Sequence, residues 1–266
     1  MKLSRLLDNF NVRMQVDPAA RELFLVAAGA LAGLVGTAGG ITSLVSYPAL
    51  LFAGVAPLQA NVANIVALVA CWPGSAAASR PELTGRGAWL RRWGVVAAVG
   101  GTAGSVLLLV TPAGLFGRVV PFLVAIGSLA LLLQPRIAAW QAARSAPGRG
   151  RALILPCGLF ALSVYNGYFG AGSGVLLLAL LLLTTEPSLV TANALKNMVV
   201  GAATITSAVL FAVFAHVDWT AVAPLAAGTF AGSLVGPRVA RRLPPGLLRW
   251  LVALTGLALA VRLLVS

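Results

Sequence analysis

Two apolar runs in this chain, 23–53 and 152–183, are too long for one straight membrane helix. Each holds roughly 32 residues, which as a single helix would measure about 48 Å against a hydrocarbon core of about 30 Å. Each also carries a glycine-rich interruption near its middle. In the first run this is Gly33, Gly36, Thr37, Gly39 and Gly40; in the second it is Gly167, Gly170, Gly172, Ser173 and Gly174. A helix–break–helix element, re-entrant or crossing twice, is the reading that fits both.

Further apolar segments run at 58–79, 93–111, 115–134, 188–214, 219–236 and 246–265. Charged residues make up only 9% of the sequence, against about 25% in a soluble domain. With a mean hydropathy of +0.96, this predicts an all-α polytopic membrane protein. A transmembrane barrel would instead show alternating ten-residue segments, and these are absent. The net charge of +13 does not point to nucleic acid. The arginines lie in the terminal segments, connections and segment ends, as the positive-inside rule expects. Residues 1–22 are mostly polar, carry both charge signs and lack a signal-peptide pattern, so they read as a retained tail. Cys71 and Cys157 stand apart in apolar runs and read as small packing residues.

The two long runs open two similar halves. Gly33, Gly36 and Gly40 correspond to Gly167, Gly170 and Gly174. Asn61 and Asn64 correspond to Asn193 and Lys196, and Gly100 with Gly104 to Gly228 with Gly232. Three matches in the same order predict an internal duplication: a first repeat over 23–134, a basic linker over 135–151, and a second repeat over 152–266. Each repeat would hold four to five helical segments. The arginine-rich connections are 80–92 (Arg80, Arg86, Arg91, Arg92) and 237–249 (Arg238, Arg241, Arg242, Arg249), at different places in the two halves. Facing both toward the cytoplasm requires opposite orientations, the inverted-repeat plan of many secondary transporters. The cost is an N-terminal tail on the outside. Eight simple crossings with parallel repeats are the alternative.

Lys196 is the one formal charge placed deep in apolar surroundings; the only other lysine is Lys2. A lysine at the centre of a membrane helix costs roughly 2.5–3.5 kcal/mol on insertion scales, so a functional role is its default reading. Asn193, Lys196 and Asn197 stand at i, i+3 and i+4 and share a helical face, as do Asn61 and Asn64. Snorkelling of the lysine and interhelical hydrogen bonds of the asparagines are the plainer readings. Two matching polar faces beside two breaks favour a site near the bilayer midplane. Unwound backbone at that depth is tolerated where it is buried in protein or lines a cavity, and a restarting helix aims N–H groups and a partial positive charge there. The candidate binding residues are therefore Lys196, Asn193, Asn197, Asn61, Asn64, Gly36, Thr37, Gly39, Gly40, Gly170, Gly172, Ser173 and Gly174, with Tyr165 and Tyr168 as a gate or wall. The natural ligand is a small anion with several acceptor oxygens. Proton coupling through Lys196 is a further expectation.

Elsewhere, His216 and Asp218 read as an interfacial turn beside Trp219, and Glu186 as a turn or helix-start residue. Trp72, Trp89, Trp93, Trp140 and Trp250 read as interface anchors. The sequence shows no nucleophile–His–acid grouping, metal-ligand cluster or phosphate loop, so no enzyme activity, metal or cofactor is expected.

The order of these features resembles the TauE/SafE (sulfite exporter-like) membrane transporters over roughly residues 23–265. The carriers are the break from Gly33 to Gly40, Pro48, and Gly54 to Asn61. In the second half they are Gly170 to Gly174, Ala192 to Asn197, Val217-Asp218-Trp219, and the Gly228 to Arg238 run. The resemblance implies transport of small sulfur-containing anions, such as sulfite and organosulfonates, across a bacterial inner membrane. The partners expected are a small anionic substrate, the lipid bilayer and a coupling proton, with no nucleic acid; a homodimer is one open state of assembly. A small-carboxylate transporter and a non-transporting membrane subunit are the rival readings.

Overall fold

The computed structural model describes residues 17–142 and 151–240, and among them every regular element is a helix. Asp17 starts α1 (Pro18–Gly39). Its carboxylate accepts the Ala19 and Ala20 amides at 3.0 and 3.3 Å, and Pro18 sits in the first turn, where a missing N–H loses nothing. α1 thus begins inside the stretch expected as tail; the rest of that tail lies outside the described residues. α1 runs through Gly33 and Gly36 and ends at Gly40, which at φ 83° adopts the left-handed conformation that terminates helices.

After Gly40 the chain reverses into α2 (Thr42–Phe52). A Cβ at Gly36 would lie 1.7 Å from the Thr42 hydroxyl oxygen, and at the far end Arg21 Nε donates to the Ala53 carbonyl at 3.2 Å. α1 and α2 therefore form a hairpin whose two outer ends meet. Then follow α3 (Pro57–Leu68), α4 (Cys71–Ala78), the single turn α5 (Arg80–Leu83), α6 (Gly87–Leu109) and α7 (Ala113–Ala142). α7 continues through residues 135–142, which the sequence suggested as linker; Ala138, Ala139, Gln141 and Ala142 are good helix formers and account for this. The second half repeats the hairpin with α8 (Arg151–Tyr168) and α9 (Ser173–Thr184). Ser173 Oγ donates to Asn166 Oδ1 at 2.8 Å across the break, and Leu180 packs on Gly158 farther out. α10 (Leu189–Phe214) and α11 (Trp219–Ala240) complete the described chain; the apolar segment 246–265 and Trp250 lie outside it.

Among the described residues, five spans are long and apolar enough to cross a bilayer: α1, α3 with α4, α6, α10 and α11. Their outer faces carry exposed apolar side chains such as Val95, Val99, Val106, Val209 and Val213, as lipid contact requires. Cys157 is also exposed, which corrects its reading as a packing residue, whereas Cys71 is buried.

Close helix crossings join the halves. A Cβ at Gly33 would lie 2.2 Å from the Thr229 carbonyl oxygen, and one at Gly167 would lie 2.2 Å from that of Gly101. These two glycines are thus packing positions within helices, and the unwound stretch is shorter than the glycine pattern suggested. The registers also correspond. Gly228 and Gly232 of α11 abut Val26, Ala30 and Leu34 of α1, while Gly100 and Gly104 of α6 abut Phe160, Val164 and Tyr168 of α8. Small residues let the backbones approach, and in lipid such contact is the main source of helix association.

Two ion pairs cross between the halves. Arg21 at the outer end of the first hairpin meets Asp218 at 3.1 Å, and Arg86, ahead of α6, meets Glu186 at the outer end of the second. Glu186 precedes α10 and Asp218 follows it. The 26 residues of α10 hold these two ends about 39 Å apart. The first hairpin therefore enters the bundle from one end and the second from the other. Because α11 starts at the Asp218 end, Arg238 in its last turn lies at the Glu186 end with Arg86.

Asp218 also caps α11, accepting the Thr220 and Ala221 amides at 3.1 and 3.2 Å. Partial burial pushes its carboxyl upward, but hydrogen bonds from Thr220, Arg21 and Ala221, with the Arg21 charge, hold it below the usual carboxylate range. A lowered folded-state value stabilises the fold above the unfolded value, about 3.9, and that increment is lost as pH falls further. Melting temperature should drop more steeply below about pH 4 in the native protein than in Asp218→Asn; parallel curves would contradict this role.

Candidate functional site

The two breaks touch. A Cβ at Gly40 would lie 2.5 Å from the Gly174 carbonyl carbon, and one at Gly174 would lie 2.7 Å from Gly40 Cα. Beside this contact opens a cavity of about 60 Å³. The first turns of α2 and α9 border it through Thr42, Ser43, Ser173 and Gly174, so two helix N-termini face the same space. One face of α10 forms another wall, with Lys196, Asn197, Val200, Gly201 and Thr204 following the helical repeat.

Lys196 is 1% exposed, yet it is one of the residues that line the cavity. Nζ donates to Asn193 Oδ1 at 2.8 Å and to the Gly36 carbonyl at 3.3 Å. Asn193 and Asn197 donate to the Thr37 carbonyl at 2.8 and 3.0 Å. The three polar residues of α10 thus hold the C-terminal carbonyls of broken helix α1, where a cation is electrostatically favoured. An ammonium has three donors, and these two bonds leave one for the cavity. Among the described residues no carboxylate lines the cavity, so an anion there meets a positive charge and neutral dipoles.

Around Lys196 the sequence candidates divide. Gly36, Thr37, Gly40, Gly170, Ser173, Gly174, Lys196 and Asn197 line the cavity. Asn193 stands behind it as the residue that positions Lys196. Asn61 and Asn64 are buried elsewhere: Asn61 donates to the Tyr168 carbonyl at 2.8 Å, and Asn64 is bonded to Ser43 and Ser46. Gly39 faces open space. Gly172 packs on Gly127 of α7, and Tyr165 donates to the Ala171 carbonyl at 2.7 Å, bracing the break. Tyr168 packs on Phe116 at 6.0 Å. Neither tyrosine lines the cavity.

Sequence reasoning missed Asn166, Thr204, Thr42, Ser43, Cys71, Trp72 and Ser75, all of which border it. Thr204 was within reach, because it stands two helical turns beyond Lys196 on the same face. Asn166 donates to Thr204 Oγ1 at 3.2 Å and accepts from Ser173, so it ties α8, α9 and α10 together. Its position between two tyrosines was the only signal. Among the described residues no cluster of His, Cys, Asp or Glu could hold a metal.

Helical spans around a buried cationic cavity, with paired helix breaks at its centre, define the class of multi-pass membrane transporters. The sequence profile described as "Sulfite exporter TauE/SafE" matches residues 23–263, and the chain belongs to that family. A curated relative, "Probable membrane transporter protein ORF9" from Sinorhizobium sp, is 24% identical over 245 residues, covering 91% of each chain. No solved structure matches.

Proposed function

We propose that this chain is a secondary transporter that moves small anions, sulfur oxyanions or organosulfonates foremost, across a bacterial inner membrane. The observation that carries the reading is Lys196: buried, its ammonium bonded to the neutral Asn193 and Gly36 oxygens, and its side chain among those lining a cavity that two helix N-termini border. A charge kept there needs a counter-charge, and the ligand supplies it. The family's printed description as sulfite exporters supports the sulfur-anion class.

Alternating access between inverted halves is the mechanism that fits. The opposed hairpins and corresponding registers support inversion, and the positive-inside rule places the Arg86–Glu186 end in the cytoplasm. Among the described residues each end carries one ion pair between the halves, so opening either end parts one pair and spares the other. In a Cys157→Ser background, Cys71 reports cavity access. Arg21→Ala should raise its reaction with a membrane-impermeant maleimide from the Asp218 end, and Glu186→Gln from the other, by roughly two- to fivefold, the scale of a pair worth up to about 1 kcal/mol. Equal change from both ends in either variant would contradict alternation.

The test of substrate class is stabilisation of the purified protein by sulfite, sulfoacetate, taurine, sulfate and lactate. The reading expects sulfite or the sulfonates to raise the melting temperature most. Lactate alone would indicate a carboxylate carrier, and no response to any anion would favour a non-transporting subunit.

A further inference from the structure

The cavity is two-sided in chemistry. Lys196, Asn197, Thr204, Asn166 and Ser173 supply charge and hydrogen bonds, while Leu68, Cys71, Trp72 and Val200 give an apolar wall. A bare oxyanion would satisfy the first side and leave the second against its oxygens. An anionic head with a short carbon tail satisfies both.

Trp72 dominates the apolar side. It belongs to α4 but reaches across to α10, where its ring lies on Gly201. A Cβ there would stand 1.8 Å from Trp72 Cδ1 and 2.7 Å from Nε1. Only glycine at 201 lets the indole approach the helix this closely. Gly201 follows Asn197 by one turn, so the ring sits next to the polar groups that face the cavity. Trp72 is 39% exposed, so part of its surface is not covered by protein. An interface anchor, its reading from sequence, would not need a receiving glycine on the helix that carries the charge.

We propose that Trp72, seated on Gly201, is a specificity-determining residue that packs against the carbon tail of a short-chain sulfonate whose head is held at Lys196. This rests on the anion-site reading above and narrows it. An indole face offers a broad apolar surface, and each methylene accommodated in such a pocket discriminates by about tenfold or more. Bare sulfite and sulfate gain nothing from that surface.

The experiment compares sulfite, methanesulfonate and ethanesulfonate, by affinity from calorimetric titration and by melting temperature, with tryptophan fluorescence followed alongside. The native protein should bind methanesulfonate roughly tenfold, and ethanesulfonate roughly 100-fold, more tightly than sulfite. Trp72→Ala should bring both ratios close to one, chiefly by weakening ethanesulfonate. Gly201→Ala, which forces the ring off its seat, should reduce the ratios in the same direction. Trp72→Phe should retain most of the preference while losing the ligand-dependent fluorescence change. If the native protein prefers bare sulfite, or if Trp72→Ala keeps the native ratios, the tail-packing role is wrong while the anion site stands. If no anion binds the native protein, the failure belongs to the anion-site reading itself.

Discussion

Lys196→Met should abolish anion-dependent stabilisation and leave a folded protein. Methionine matches the length and much of the volume of the lysine stem, so core packing is largely kept. Asn193 Oδ1 loses a donor, at a cost of about 1–3 kcal/mol for a buried acceptor. The Gly36 carbonyl still accepts the Gly40 amide at 2.6 Å. The ligand loses a charge-assisted hydrogen bond worth about 1.5–3 kcal/mol, equivalent to roughly 10- to 100-fold in affinity. Lys196→Gln separates the causes, because an amide keeps a donor without the charge. It should bind anions nearly as poorly as the methionine variant. Melting curves with and without sulfite measure both; full stabilisation in Lys196→Gln would show that charge is not what the site uses.

The second large effect is on the fold. Gly40→Ala should severely deplete folded protein, and Gly39→Ala, one residue earlier, should not. At Gly40 the positive φ costs a side chain about 1–2 kcal/mol. The added carbon would also stand 2.5 Å from the Gly174 backbone, adding overpacking of about 1–3 kcal/mol. Neither backbone can withdraw without parting the two breaks. At Gly39 a Cβ meets nothing within 4 Å, and alanine favours the helix by up to about 1 kcal/mol. Detergent-extracted, monodisperse protein and its melting temperature give the comparison. Equal behaviour of the two variants would mean that the Gly40–Gly174 contact does not hold the halves together.

The sequence made these two features visible for different reasons. Lys196 stood out because a lone charge in an apolar run has few explanations. The breaks stood out because two runs exceeded the bilayer thickness. Which glycine does what was not legible. Gly33, Gly36 and Gly40 share one short pattern, yet Gly33 packs within a helix, Gly36 borders the cavity and Gly40 terminates α1. Only the path of α11 across α1 separates the first role from the last. Trp72 and Gly201 lie on different helices far apart in the chain, and nothing local links an aromatic ring to the glycine that receives it. Asn61 and Asn64 show the opposite limit. They match Asn193 and Lys196 in sequence, but Asn64 is bonded to Ser43 and Ser46 of the first half, and the Asn61 amide donates to the Tyr168 carbonyl of α8. The corresponding positions thus differ in charge, and the lysine is on α10.

Counterflow in proteoliposomes tests the central claim most directly. Vesicles loaded with unlabelled sulfonate and diluted into a trace of labelled sulfonate should accumulate label transiently above equilibrium through the native protein and show none through Lys196→Met. Simple equilibration without overshoot, or equal overshoot in the variant, would contradict an alternating-access carrier that holds its anion at Lys196.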